Sequence, residues 1–136
     1  MIRSAMSARR LLILAGCAAA LGISGSALGA DPAASLPAGW SHAEINVVGA
    51  RGRPHTLIYD RGRVQAVGGS ALSLLERDGS VVTIQVAPNA VVRLDGRRVG
   101  LYALRVGDTA RTQGVDGKPA VKVAATRPVR KLRNLR

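Results

Sequence analysis

The chain has 136 residues, room for one domain and a targeting segment. Its 20 Lys and Arg face 8 Asp and Glu, a formal net charge of +12, which bears on solubility and anionic partners and not on fold. One cysteine, no phenylalanine and only Trp40, Tyr59 and Tyr102 as aromatics exclude a disulfide framework and a core of large aromatic anchors, so Val, Leu, Ile and Ala must fill the interior.

Met1 to Arg10 carries Arg3, Arg9 and Arg10 and no acid. An apolar, small-residue-rich run from Leu11 to Ile23 follows, and Ala27-Leu28-Gly29 offers small residues before Asp31-Pro32. This order predicts a secretory signal peptide over 1–30, cut after Gly29 or Ala30. An uncleaved anchor is the alternative, since the run is long enough to span, but Ala, Gly and Ser insert weakly. Leu14-Ala15-Gly16-Cys17 has the form of a lipobox, giving lipidation at Cys17 as a second route. Arg9-Arg10-Leu11-Leu12 loosely matches a twin-arginine signal. Cleavage after residue 29 or 30 would leave no cysteine, so packing alone would hold the exported domain.

Residues 31–43 are rich in Pro, Ala, Gly and Ser without periodicity and read as a linker. From Glu44, Ile45 and Val47 alternate with polar residues as in a half-buried strand. Gly49 to Pro54 reads as a loop, and Thr56 to Asp60 as a strand with Leu57 and Tyr59 on one face. Asp60-Arg61-Gly62 reads as a break before Arg63 to Val67, with Val64 and Ala66 inward. After Gly68-Gly69, Leu72 and Leu74 point inward, then Val82, Ile84 and Val86 in the cleanest period-2 segment of the chain. Pro88-Asn89 reads as a turn ahead of the row Ala90, Val92 and Leu94. Leu101 to Leu104 suits one helical turn, and Val106-Gly107-Asp108 a break. Ala110 and Thr112, then Val121, Val123 and Ala125, complete the inward set before Pro128 stops the ladder.

Three Asp-Gly pairs, Asp78-Gly79, Asp95-Gly96 and Asp116-Gly117, punctuate this pattern. Asp-Gly between apolar runs signals a type I′ hairpin turn, whose two central residues both need φ > 0. Roughly six to eight short strands follow, and closure removes their edges. The expected fold is an all-β, small antiparallel barrel over 44–126, OB-like, with a β-sandwich as the alternative.

Gly62 to Val67, Leu72-Ser73-Leu74, Asp78-Gly79, Val82-Thr83-Ile84, Val92 to Gly96 and Leu101 through Asp108 fall in an order that resembles a class of secreted bacterial OB-like β-barrel domains of unknown function. The resemblance covers roughly Arg61 to Thr126. It implies the barrel and an extracytoplasmic setting, and it implies no reaction.

Catalytic apparatus is sparse. No Gly-x-Ser-x-Gly elbow, Walker loop or dinucleotide loop occurs. Most acids neighbour turn glycines, leaving Glu44 and Glu76 as mid-strand carboxylates with no reason to pair. The expectation is therefore no enzymatic activity and no cofactor. His42, Glu44 and His55 would form a metal site only if their strands paired suitably, a reading set below two solvated histidines. OB-like barrels often bind single strands through aromatic platforms among basic residues, but such platforms are scarce here; Arg63, Arg93 and Arg111 are the candidates for that role or for a protein partner.

The leading candidate lies in residues 127–136, where Arg127, Arg130, Lys131, Arg133 and Arg136 stand without an acid and Val129, Leu132 and Leu135 recur every third residue. A basic amphipathic tail of this kind suits an anionic lipid surface or an acidic cell-wall polymer; the alternative is a solvated tail that serves solubility. The resulting expectation is a secreted or periplasmic, non-catalytic binding or structural module.

Overall fold

The computed structural model describes residues 31–130, so the expected signal peptide over 1–30, Cys17 and the residues beyond Arg130 lie outside the described residues. Seven strands follow in order: β1 (His42–Val48), β2 (Pro54–Gly68), β3 (Ala71–Leu75), β4 (Val81–Leu94), β5 (Arg97–Val99), β6 (Thr109–Val115) and β7 (Ala120–Thr126). Five of them close a barrel in the order β2-β3-β4-β7-β6, with β6 returning to β2. β1 adds to β2 and β5 to β4 on the outside. Every pairing is antiparallel except the β4–β7 seam, which is parallel. β5, a 3-10 turn at Leu101–Ala103 and β6 provide the crossover that a parallel pair requires. The expected all-β barrel is thus the fold, and its strand order is consistent with an OB-like barrel.

The interior is aliphatic. Val64, Leu72, Leu74, Val86, Val92, Leu104, Val123 and two alanines form one buried cluster. Burying each of the three leucines contributes about 2 kcal/mol. A small barrel has room for such side chains and little more, which matches the absence of phenylalanine. The inward rows of β3, β4 and β6 are the ones the alternation predicts; in β7, Val123 and Ala125 are inward as expected, but Val121 stays half-buried outside the core cluster and Ala120 is buried in its place. β2 departs from prediction. A bulge between Val64 and Ala66 resets the alternation, so Ala66 is exposed and Val67 packs on the core instead.

Two expected breaks are continuous strand. β2 runs through Asp60-Arg61-Gly62, and β4 runs through Pro88-Asn89. Up to Asp60, one edge of β2 pairs with β1, and from Arg63 the same edge pairs with β3. β4 pairs with β3 up to Gln85 and with β7 from Val86, with a register shift before Val91. Pro88, which has no N–H to offer, occupies that gap in the ladder. Two of the three Asp-Gly pairs are type I′ turns: Asp95 and Gly96 have φ of 49° and 81°, and Asp116 and Gly117 have 53° and 71°. In the third, only Gly79 has positive φ; Gly79 N–H donates to Glu76 O and Glu76 N–H to Ser80 O, a longer loop that Asp78 Oδ1 braces from Ser80 N–H at 2.9 Å.

The segment read as a linker is partly built. Pro32–Ser35 forms a 3-10 turn capped by the Asp31 side chain, which accepts from Ala33 N–H at 3.0 Å. Ala33 is buried, and Trp40 meets the buried ring of Tyr59 edge-on. Tyr59 therefore packs on the outside of the barrel beneath this arm, where burial pushes its phenol pKa up.

Candidate anion-binding surface

The sequence places five cations at the C-terminus; the structure divides them. β7 ends at Thr126, and Arg127 turns back onto the barrel rim. Its Nε and Nη2 donate to the two carboxylate oxygens of Asp108, each at 3.0 Å, and Nη2 also donates to Ala103 O at 3.0 Å. Asp95 Oδ1 accepts the Arg127 backbone N–H at 3.0 Å. Asp108, only 2% exposed, sits just past Gly107, whose φ of 97° folds the carboxylate back to accept Arg105 N–H at 2.9 Å. The Arg127 guanidinium holds the Asp108 carboxyl below the usual range against the opposing effect of burial, and the Arg105 N–H helps. Arg127 is thus the clasp at the root of the tail. Val129 and Arg130 beyond it are exposed, whereas Lys131, Arg133 and Arg136 lie outside the described residues.

The barrel's outer face gathers a second set of cations. Arg61 on β2 stands opposite Arg111 on β6, Arg111 opposite Ala124 on β7, Ala124 opposite Arg93 on β4, and Arg93 opposite Arg98 on β5. Paired residues share a face, and the inward neighbours Thr112, Val123 and Val92 fix this row on the outside. Arg93 and Arg111 thus fall in one row, while Arg63, opposite Thr109, lies one row away. Arg61 and Arg98 join it unannounced, because nothing in the linear sequence states the pairing register. Arg61 lies over the Trp40 ring at 5.8 Å, Asp31 pairs with Arg111 at 2.7 Å, and Arg93 Nη1 donates to Gly96 O at 3.2 Å. The arm and the row enclose a groove of about 440 Å³ bordered by Leu36, Trp40, Arg61, Arg111 and Ala124.

The histidines do not converge. His42 pairs with Asp60 in register and His55 with Val47, at opposite ends of the β1–β2 hairpin. His42 Nδ1 donates to Asp60 Oδ1 at 2.7 Å, with Glu44 at 3.5 Å from Nε2; Asp60, then Glu44, raises the His42 pKa. His55 Nδ1 donates to Asp116 Oδ2 at 2.8 Å, and Thr56 N–H to Asp116 Oδ1, which ties the β6–β7 turn to β2 and lowers the Asp116 pKa. Among the described residues no three His, Cys, Asp or Glu side chains come together as a ligand set. A second cavity, of about 550 Å³, opens at the barrel mouth beside His42, Asp60, Glu76, Thr112 and Lys118.

No family model matches the chain, and neither does a curated protein or a solved structure.

Proposed function

We propose that the chain is an exported, non-catalytic module of the cell envelope that holds to anionic surfaces through its basic C-terminal segment; the resemblance to secreted OB-like domains of unknown function implies the extracytoplasmic setting and leaves the tail outside it. The observation that carries this reading is the Arg127–Asp108 clasp. It fixes the point at which the tail leaves the barrel, and Val129 and Arg130 just beyond it are exposed. Four cations remain beyond the clasp: Arg130, Lys131, Arg133 and Arg136. Near an anionic membrane or wall polymer each contributes about 1 kcal/mol, and salt screens the gain. Five of the eight carboxylates serve as caps and braces, Asp31, Asp78, Asp95, Asp108 and Asp116 all accepting backbone N–H groups, which leaves Glu44, Asp60 and Glu76 outside that role.

The test spares the clasp. Truncation after Pro128 removes the four cations that follow it and leaves Arg127 in place. Retention on vesicles containing anionic lipid should then lose its salt-sensitive component. Retention equal to that of the intact protein across a salt series would overturn the reading.

A further inference from the structure

The arginine row crosses the barrel over four strand spacings, about 19 Å from β2 to β5. It opposes Arg61 to Arg111 and Arg93 to Arg98 directly, an arrangement of like charges that destabilises a sheet. β4, β5, β6 and β7 contain no acid that could relieve it. The carboxylate that does reach in is Asp31, carried by the arm onto Arg111. Ala124, at the centre, leaves the groove beneath the arm open. Nothing in the packing of the barrel calls for four guanidinium groups in line; an anionic chain laid across the strands does.

We propose that this row binds a linear, base-free phosphodiester polymer, with the groove between the arm and Ala124 as its central subsite and the Asp31 carboxylate as the built-in competitor that the polymer displaces. Guanidinium forks match phosphate oxygens and keep their charge at every accessible pH. The polymer is base-free because a nucleic acid would need a succession of stacking surfaces. Trp40 is the aromatic side chain that borders the groove, and its ring already meets Tyr59 and Arg61. The inference rests on the anionic-surface reading above and deepens it by giving the barrel a polymer contact of its own beside the tail's contact with anionic lipid.

The experiment titrates the full-length protein with a glycerol-phosphate polymer and with oligothymidylate of equal charge, over a salt series. Arg93 and Arg98 are exposed, so Arg93→Ala/Arg98→Ala should fold like the parent, with the urea midpoint as the check. Its affinity for the glycerol-phosphate polymer should fall about tenfold, and the slope of log K against log salt should flatten by roughly 1.4, about 0.7 per lost contact. Asp31→Asn keeps the cap and should raise affinity a few-fold. Truncation after Pro128 should leave most of the polymer affinity intact. An unchanged slope in the double variant would overturn the inference while leaving the tail reading standing. Tighter binding of oligothymidylate than of the base-free polymer would also overturn it. Conversely, vesicle retention that survives truncation removes the tail reading without touching this titration.

Discussion

Arg127 and Asp108 show how one residue can carry two meanings in a sequence. In the linear chain Arg127 opens a run of cations, and Asp108 closes a turn. In three dimensions they form a forked ion pair across 19 residues of sequence. Asp108 lies at 2% exposure and accepts three N–H groups, from Arg105 and twice from Arg127. Asp108→Asn removes the charge and turns an amide NH₂ toward those donors. The expected cost is about 2 kcal/mol, the scale of a hydrogen bond to a charged group. Arg127→Ala added to Asp108→Asn should cost less than the two single effects together, because the residues share one interaction. Arg130→Ala, at an exposed site, should leave the urea midpoint in place. Equal midpoints for Asp108→Asn and Arg130→Ala would remove the clasp from the account. The charge of the tail was legible from composition; the clasp was not, because pairing at a distance depends on the β6–β7 register. The same holds for the arginine row, whose members are scattered from 61 to 111 and meet only through four strand pairings.

At the scale of elements, alternation of apolar residues was a sound guide along β3, β4 and β6, and the Val64–Ala66 bulge reset it in β2. Strand breaks were misread at two punctuation marks, Gly62 and Pro88. Each marks a change of neighbour within a long strand, not a change of direction. At Gly62 the edge of β2 passes from β1 to β3, and the backbone comes so close to β3 that an added Cβ would lie 2.5 Å from Leu75 O. Gly68 ends the same strand in open space, with nothing within 4 Å of an added Cβ. The pair gives a controlled comparison. Gly62→Ala should cost about 2 kcal/mol, since the carbonyl it meets is backbone and can yield only by shifting β3. Gly68→Ala should be close to neutral. Thermal unfolding of the two variants decides the matter, and equal melting temperatures would mean that β2 and β3 do not approach as described. Neither mark could be read correctly beforehand, because Gly and Pro signal a local backbone requirement and leave open whether a turn or a handover imposes it.

For the whole molecule, charge is the governing quantity, and its linkage to protons gives the stability a definite shape with pH. Asp108, Asp116 and Asp78 have folded pKa values below their ordinary 3.8, held there chiefly by Arg127, His55 and Ser80. A depressed carboxyl stabilises the fold above its unfolded value and loses that contribution as pH falls through the folded value. The acid limb therefore lies below about pH 4. His42 works in the other direction. Its folded pKa is raised above 6.5 by Asp60 and Glu44, so its contribution is complete below 6.5 and is lost as pH rises through the folded value. The two limbs leave a maximum between about pH 4 and 6.5, on the acid side of neutrality. Urea midpoints measured at about pH 3, 5.5 and 8 should be highest at the middle value. His42→Gln should remove the decline from about pH 5.5 to 8 and leave the acid limb unchanged, whereas Asp108→Asn should shrink the acid limb and leave the alkaline one. His42 is half exposed, so its limb is the shallower and salt should shrink it further. A midpoint that keeps climbing to about pH 8 in the parent protein would show that His42 and Asp60 are not paired in solution, and with them would go the side-chain contact that reinforces the backbone pairing at the start of β1.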